Sequence, residues 1–343
     1  MRTRAVSATF GVVLTTLALA ACGGSSDSTD GGDSEASASG SGVELSLVAY
    51  AVPKVGFDQL IPAFQKTDAG EGVTFAQSYG ASGDQSRKVE AGLATDLVNF
   101  SVEPDVTRLV KAGIVDEDWN QDENQGLAFG SVVTIVTREG NPKNIQDWDD
   151  LLQDGLEVVT PNPFSSGSAK WNLLAPYAVK SNGGKDKDAG LAYIDQLVSE
   201  HVKVQPKSGR EATETFLQGT GDVLLTYENE ALFIKEEGEK VDFVTPPGTF
   251  KIENPVAVLN TSKHPEQAEA FKEFLYSDEG QKLWAEAGFR PVNEEILAEY
   301  AEKFPEPEQL WTIGDLGGWP DVDAEFFDPD NGSIAKIYDE ATG

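Results

Sequence analysis

Three short segments of the sequence combine serine and glycine residues where a predicted strand ends and a predicted helix begins. They are residues 78–84, 161–168 and 206–209. The first turn of a helix has backbone N–H groups without intrahelical partners and carries the positive end of the helix dipole. Small residues let an anion approach that backbone closely, and serine hydroxyls add further donors. Three such segments directed at one point would replace the hydration shell of an oxyanion.

Each segment also has a simpler interpretation. Serine and glycine are favoured at the N-cap of any helix, where they satisfy backbone groups without binding a ligand. For a single segment taken alone, ordinary capping is the commoner role. The residue types therefore leave both interpretations open.

Residues suited to catalysis or metal binding are few. Cys22 is the only cysteine, so the chain after it has no disulfide, thiolate zinc site or cysteine nucleophile. The only histidines, His201 and His264, form no pair at metal-ligand spacing, and we expect both at the surface. Ser166 and Lys170 lack the S-x-x-K spacing of serine–lysine hydrolases. We expect no metal, no cofactor and no enzyme activity. The alternatives to an anion-binding protein are a secreted sulfatase or phosphatase, and a surface adhesin or sensor.

The N-terminus is organised like an export signal. Arg2 and Arg4 precede an apolar run at residues 10–21, which is too short to span a membrane. The run leads into the tetrapeptide LAAC at residues 19–22, which resembles the lipobox of bacterial lipoproteins. We therefore predict a lipoprotein signal peptide over residues 1–21.

The residue after this signal, Cys22, is the predicted site of lipidation. Residues 22–43 contain no aromatic or large aliphatic side chain before Val43, so they cannot bury enough apolar surface to fold. We predict a flexible tether with an average reach of about 25 Å. It would hold a globular protein at the extracellular face of the cell membrane.

The chain is strongly acidic, with 26 basic and 58 acidic residues and a net charge of −32. This charge makes nucleic acid and anionic lipid headgroups unsuitable partners. It also repels a free oxyanion at long range. However, donors at contact distance in a closed cleft act far more strongly than diffuse surface charge in salt water. The charge is therefore expected to slow the encounter with an anion without preventing binding.

From Val43 onward, short apolar strands alternate with amphipathic helices. The β-branched run at residues 132–136 is a strong strand signal, and the β-α-β-α order before it predicts a parallel sheet covered by helices. A second unit of the same kind follows. We predict two lobes, the second inserted into the first. Residues 44–130 begin lobe 1, residues 131–250 form lobe 2, and residues 251–343 return to lobe 1 and add C-terminal helices.

Ordered motifs run through the chain after Val43. The central one is TPNPxSSG at residues 160–167, followed by WN at residues 171–172. The others, in chain order, are Gln77-Ser78 with Ser82-Gly83, Gly140-Asn141-Pro142-Lys143 with Asp147-Trp148, Gly221-Asp222-Val223-Leu224, Glu228-Asn229-Glu230-Ala231, Tyr276-Ser277-x-Glu279-Gly280-Gln281, Arg290-Pro291, Phe304-Pro305 and Gly317-Gly318-Trp319. In residues and in order, the set resembles the periplasmic sulfate- and thiosulfate-binding proteins of bacteria.

This resemblance implies an α/β fold of the two-lobed periplasmic-binding-protein type (type II), with a hinge and a ligand cleft between the lobes. It implies that a monomeric receptor holds sulfate or thiosulfate with uncharged donors and delivers it to an ABC importer. Carried over by motif, the ligand-binding residues are Ala51, Ser82, Ser166, Gly167, Ser168, Gly209 and Tyr227. Ser82, Ser166 and Tyr227 would donate through hydroxyls and the other four through backbone N–H groups. A receptor for another tetrahedral oxyanion, such as molybdate or phosphate, is the alternative.

Three of these positions depart from the family pattern. Tyr227 stands where relatives have a tryptophan whose indole N–H donates, and a tyrosine hydroxyl accepts as well as donates. Ser168 replaces a glycine, and Ala51 an aspartate of some relatives, but both act through the main chain. A cleft of donors alone leaves the proton of hydrogen phosphate unpaired, at a cost of about 1–3 kcal/mol. We expect Tyr227 to weaken that discrimination.

Overall fold

A computed structural model describes residues 42–342 of the 343-residue chain. The predicted signal peptide, the predicted lipidation site Cys22 and the predicted tether as far as residue 41 lie outside the described residues. Within residues 42–342, no helix has both the length and the apolar composition that crossing a bilayer requires.

Within the described chain, ten strands belong to one sheet. They are β1 (Glu44–Tyr50), β2 (Thr74–Gly80), β3 (Leu97–Asn99), β4 (Leu127–Arg138), β5 (Val158–Val159), β6 (Val202–Val204), β7 (Val223–Tyr227), β8 (Val241–Val244), β9 (Gly248–Val258) and β10 (Gln309–Trp311). Eight of them follow one another in the order β2-β1-β3-β9-β4-β7-β5-β6, while β10 pairs with β9 and β8 with β4.

Helices cover this sheet. They are α1 (Lys54–Phe64), α2 (Ser82–Glu90), α3 (Glu103–Lys111), α4 (Gly167–Lys180), α5 (Lys187–Gln196), α6 (Gly209–Leu217), α7 (Glu228–Glu236), α8 (Pro265–Tyr276), α9 (Asp278–Glu286), α10 (Glu294–Glu299), α11 (Trp319–Val322) and α12 (Ser333–Thr342). Short 3-10 helices span Trp148–Leu152 and Ile313–Leu316, and single π-turns span Leu197–His201 and Asp323–Phe327.

The sheet is mixed, so the expectation of a parallel sheet is wrong in part. Strands β2-β1-β3 are parallel to one another, and so are β7-β5-β6. Between these two groups, β9 is antiparallel to β3 and to β4, and β4 is antiparallel to β7. The two parallel groups are the α/β units that the sequence pattern predicts. The antiparallel strands β4 and β9 join them directly, without a helix between.

The long strands β4 and β9 cross from one parallel group to the other. Residues 127–132 of β4 pair with β9, whereas residues 133–138 pair with β7 and β8. The predicted lobe limits at residues 130/131 and 250/251 fall inside these two strands. The described residues cluster as one compact unit, so the division into lobes at residues 130/131 and 250/251 stays a prediction.

The helices after β9 pack on different parts of the molecule. Helices α8 and α9 contact α1, which follows the first strand of the sheet. The C-terminal segment, residues 319–342, instead lies against α4 and α5. The ring of Trp319 is 4.8 Å from that of Trp171, and the ring of Phe326 is 4.7 Å from that of Tyr177. The C-terminal segment thus covers the helix that begins at the central sequence motif.

One expectation about surface residues is wrong. His201 ends the π-turn that leads into β6, and its side chain is only 3% exposed. Its Nδ1 lies 3.0 Å from the carbonyl oxygen of Leu156. His264 is half-buried. In the region that the structure describes, no group of three or more histidine, aspartate, glutamate or cysteine side chains is arranged to hold a metal ion.

Candidate functional site

The three serine–glycine segments each lead into a helix, as predicted. Helix α2 begins at Ser82, α4 at Gly167 and α6 at Gly209, and each follows the carboxyl end of a strand. The predicted side chains are almost fully buried: Ser82 is 2% exposed, Ser166 3%, Ser168 4% and Tyr227 1%. Gly167 and Gly209 are buried and Ala51 is half-buried. These residues are therefore enclosed rather than spread over the surface.

A residue outside the predicted set, Ser101, links several of its members. Its Oγ lies 2.7 Å from the hydroxyl oxygen of Tyr227, and its backbone N–H donates to Ser82 Oγ over 3.0 Å. Its carbonyl oxygen accepts from Trp171 Nε1 at 2.7 Å and from Asn254 Nδ2 at 3.1 Å. Ser101 thus joins the start of α2, helix α4 and the residue before α7.

Close backbone approaches bring the remaining segments to the same place. A Cβ on Gly167 would lie 2.8 Å from Ser101 Oγ. A Cβ on Gly209 would lie 3.0 Å from Ser168 Oγ and 3.3 Å from Cγ2 of Val52, the residue after Ala51. The starts of α4 and α6 and the loop after β1 therefore meet. In addition, the N–H of Gly83 donates to the Ser165 carbonyl over 3.1 Å, which fastens α2 to the loop before α4.

Four backbone donors in this cluster lack a protein partner. Within residues 42–342, the N–H groups of Ala51, Gly167, Ser168 and Gly209 donate to no backbone or side-chain acceptor. A buried donor without a partner is costly, and native proteins rarely leave one. Three of them belong to the first turns of α4 and α6, where an N–H has no partner within its helix, and the described chain supplies no capping acceptor for them. Together with the N–H of Ala51, next to Val52, they indicate a site that is completed by an acceptor from outside the chain.

Two serines at N-cap positions differ in whether they cap their helix. Ser208 caps α6 by accepting from the N–H of Glu211 at 3.2 Å. Ser166 holds the same N-cap position on α4, but its side chain makes no capping bond. The capping interpretation is therefore right for Ser208 and wrong for Ser166, whose buried hydroxyl lies beside the unpaired N–H groups of α4.

The hydroxyl of Ser82 is already engaged. It donates to Asp105 Oδ2 over 2.6 Å and accepts from the Ser101 N–H. The other carboxylate oxygen of Asp105 accepts from Arg108 at 3.0 Å. A hydroxyl has one proton, so Ser82 can donate to an anion only by turning away from Asp105. Its role as a ligand donor stays a prediction.

The basic residue next to Gly209 in the sequence is already paired. Arg210 follows Gly209, but its guanidinium lies 2.7 Å from Glu230, a carboxylate with no exposed side-chain surface, and stacks on Phe233 at 4.6 Å. It also donates to the carbonyl of Val52 at 3.4 Å. Burial raises the pKa of Glu230, and the charge of Arg210 opposes that rise. The cluster therefore presents uncharged donors, as the resemblance implies.

Tyr227 is equipped to donate. Burial raises the pKa of its hydroxyl above the ordinary 10.0, although the neighbouring Ser101, Ser168 and Asn254 lower it in part. The hydroxyl therefore keeps its proton throughout the physiological pH range.

The far end of α6 is held from strand β4. The guanidinium of Arg138 stacks on the Phe216 ring at 3.7 Å. It donates to the carbonyls of Phe216, Thr220 and Gly221 over 2.6 to 3.2 Å. Helix α6 is thus fixed at both ends, by Ser208 at its start and by Arg138 at its finish.

An opening of about 390 Å³ adjoins this cluster. Its walls include Ser166, Gly167 and Gly83, so it reaches the first turns of α2 and α4. Acidic and basic side chains, among them Asp105 and Lys170, line the remainder. A small polar solute can therefore reach the first turn of α4 from this side.

Sequence reasoning found the three helix starts and missed Ser101. One signal was available: Ser101 comes two residues after the end of β3, at the same edge of the sheet where β1 and β2 end. The carboxyl ends of parallel strands are where α/β proteins bind ligands. A serine at that edge was therefore a candidate.

Comparison with known proteins agrees with the resemblance seen in the sequence. The model of the bacterial extracellular solute-binding protein family matches residues 45–290. A sulfate-binding protein of Synechococcus elongatus is 40% identical over 96% of this chain and 94% of its own length. A thiosulfate-binding protein of Pseudomonas aeruginosa is 36% identical over 85% of this chain and 91% of its own.

A solved structure extends the comparison to the fold. The sulfate-binding protein SubI of Mycobacterium tuberculosis H37Rv superposes with a TM-score of 0.82 at 60% identity, covering 83% of this chain and all of that protein. The expected two-lobed α/β fold is confirmed. The chain therefore belongs to the bacterial extracellular solute-binding proteins and, among them, to the family of sulfate- and thiosulfate-binding proteins.

Proposed function

We propose that this protein binds sulfate, or thiosulfate, outside the cytoplasm and delivers it to an ABC importer. The observation that carries the proposal is the set of four unpaired backbone N–H groups beside the uncapped Ser166. Sulfate at neutral pH is an acceptor only, and it matches these backbone N–H groups, which can only donate. The relatives named as sulfate- and thiosulfate-binding proteins, which match nearly the whole chain, support the same ligand class.

The donors come from both predicted lobes. Ala51 and Ser82 belong to lobe 1, whereas Ser166 to Ser168, Gly209 and Tyr227 belong to lobe 2. Binding would draw the lobes together around one ion, because contacts from both sides favour the closed state. The bond from the Gly83 N–H to the Ser165 carbonyl, 3.1 Å long, supports such a closed arrangement.

The proposal includes a place in the cell. A signal peptide over residues 1–21 and a lipid on Cys22 would hold a monomeric receptor at the extracellular face of the membrane, on the tether of residues 22–43. Catalysis plays no part in it. Labelling with a fatty-acid analogue tests the anchor: wild type should carry the label and Cys22→Ala should not, and equal labelling would remove the anchor.

Titration calorimetry tests the ligand. Purified protein is titrated with sulfate, thiosulfate, molybdate and phosphate in turn, at constant ionic strength because the acidic surface makes anion binding salt-dependent. Sulfate or thiosulfate should bind most tightly. Tightest binding of molybdate or phosphate would move the protein to another oxyanion. Absence of binding by all four would refute the receptor assignment.

A further inference from the structure

The hydroxyls of Ser101 and Tyr227 form a buried pair. Their oxygens are 2.7 Å apart, and the residues are 0% and 1% exposed. Each hydroxyl has one proton, and the bond between them uses one of the two. The other proton needs an acceptor, because a buried hydroxyl that donates to nothing is costly. The direction of the bond decides which residue keeps the free proton.

The surroundings favour donation from Ser101 to Tyr227. The Ser101 hydroxyl has no second partner among residues 42–342, and its Oγ faces Gly167 so closely that a Cβ there would lie 2.8 Å away. Little space is left beside it for an ion. The Tyr227 hydroxyl also neighbours the side chain of Ser168, whose N–H is one of the unpaired donors, and the side chain of Asn254, whose buried Oδ1 has no hydrogen-bond partner in the described chain. The free proton therefore belongs on Tyr227, where Asn254 Oδ1 and an anion bound at the Ser168 N–H are the two acceptors within its surroundings.

We propose that Ser101 is a specificity-determining residue, because its hydroxyl occupies the acceptor side of Tyr227 and leaves that tyrosine able only to donate to the bound anion. This inference rests on the proposed function. A tyrosine alone would also accept, and it would satisfy the proton of hydrogen phosphate. Held by Ser101, Tyr227 acts like an indole N–H. The phosphate tolerance expected from Tyr227 by itself then emerges only when Ser101 loses its hydroxyl.

A double-mutant cycle tests this positioning role. Sulfate affinity, and the phosphate concentration that displaces sulfate, are measured by calorimetry for wild type, Ser101→Ala, Tyr227→Trp and the double variant. In Ser101→Ala the preference for sulfate over phosphate should fall by about tenfold or more, since an unpaired buried proton no longer penalises phosphate. In the Tyr227→Trp background the same change should leave the preference unaltered, because an indole cannot accept.

The outcomes separate this inference from the proposal beneath it. If wild type binds sulfate but Ser101→Ala keeps the full preference, or loses it equally in both backgrounds, Ser101 does not act through Tyr227. If wild type binds no sulfate, the receptor assignment fails and this inference with it. Thermal melting confirms that each variant folds. Ser101→Cys, close in shape but a weak donor, replaces Ser101→Ala if the alanine variant is unfolded.

Discussion

Ser166 and Ser208 allow a sharp test because they hold the same N-cap position on two helices of one site. Ser166 makes no capping bond, whereas Ser208 accepts from Glu211. Removing the Ser166 hydroxyl should therefore cost ligand binding and leave stability nearly unchanged. A hydrogen bond to a charged group contributes about 1.5–3 kcal/mol, so Ser166→Ala should weaken sulfate binding by about 10- to 150-fold.

Ser208→Ala is the matched control, with the same atoms removed from a capping residue. Loss of a cap costs about 0.5–2 kcal/mol of folding free energy. We expect that loss in urea unfolding followed by tryptophan fluorescence, together with a smaller change in sulfate affinity than Ser166→Ala produces. Calorimetry with sulfate and unfolding without it are run on the same three proteins, including wild type.

The contrast between the two serines can fail in two ways. An unchanged sulfate affinity in Ser166→Ala would remove Ser166 from the site. A loss of stability in Ser166→Ala as large as that in Ser208→Ala would show that Ser166 caps α4 in solution, and the separation of capping from binding would be wrong.

Three further predictions concern the same region. Gly167→Ala should weaken sulfate binding by about 1–3 kcal/mol, because its Cβ would lie 2.8 Å from a neighbouring side chain. Gly209→Ala should weaken sulfate binding less, because its Cβ would lie 3.0 Å from the nearest side chain; the reverse order of affinities by calorimetry would contradict this. Arg210→Met leaves Glu230 buried without its cation, so the free energy of unfolding in urea should fall by about 3–5 kcal/mol. Adding Glu230→Gln should restore part of that stability, and equal stability of wild type and Arg210→Met would disprove the pairing. Sulfate affinity should stay within about twofold between about pH 6 and 9, because burial raises the pKa of the Tyr227 hydroxyl and keeps it protonated over this range. A steep fall in sulfate affinity with rising pH would indicate a titrating cation in the site.

The helix starts were predictable because their causes are local. A glycine or serine that follows a short apolar run sets the first turn of a helix, whatever lies elsewhere in the chain. Helices α2, α4 and α6 accordingly begin inside the three predicted segments, at Ser82, Gly167 and Gly209. The same holds for the strand at residues 132–136, which the structure extends to Leu127–Arg138.

Features that depend on distant residues were not predictable. Ser101 is 126 residues from Tyr227, and its sequence neighbours give no sign of that contact. The direction of β9 relative to β4 depends on how the chain returns to the sheet, and a β-α-β pattern does not report it. His201 is buried because a π-turn and β6 enclose it, although a lone histidine before a short strand suggests the surface.

Helix α6 connects the proposed binding residue Gly209 to a contact with the distant strand β4. Its nine residues span about 13 Å, with Gly209 at one end and the carbonyls held by Arg138 at the other. A displacement of α6 at the Arg138 end would also shift the Gly209 N–H, because the hydrogen-bonded helix moves as one unit. Tolerance to substitution should therefore be as low at Arg138 as at the proposed sulfate-binding residues, although Arg138 belongs to β4 and contacts the other end of the helix.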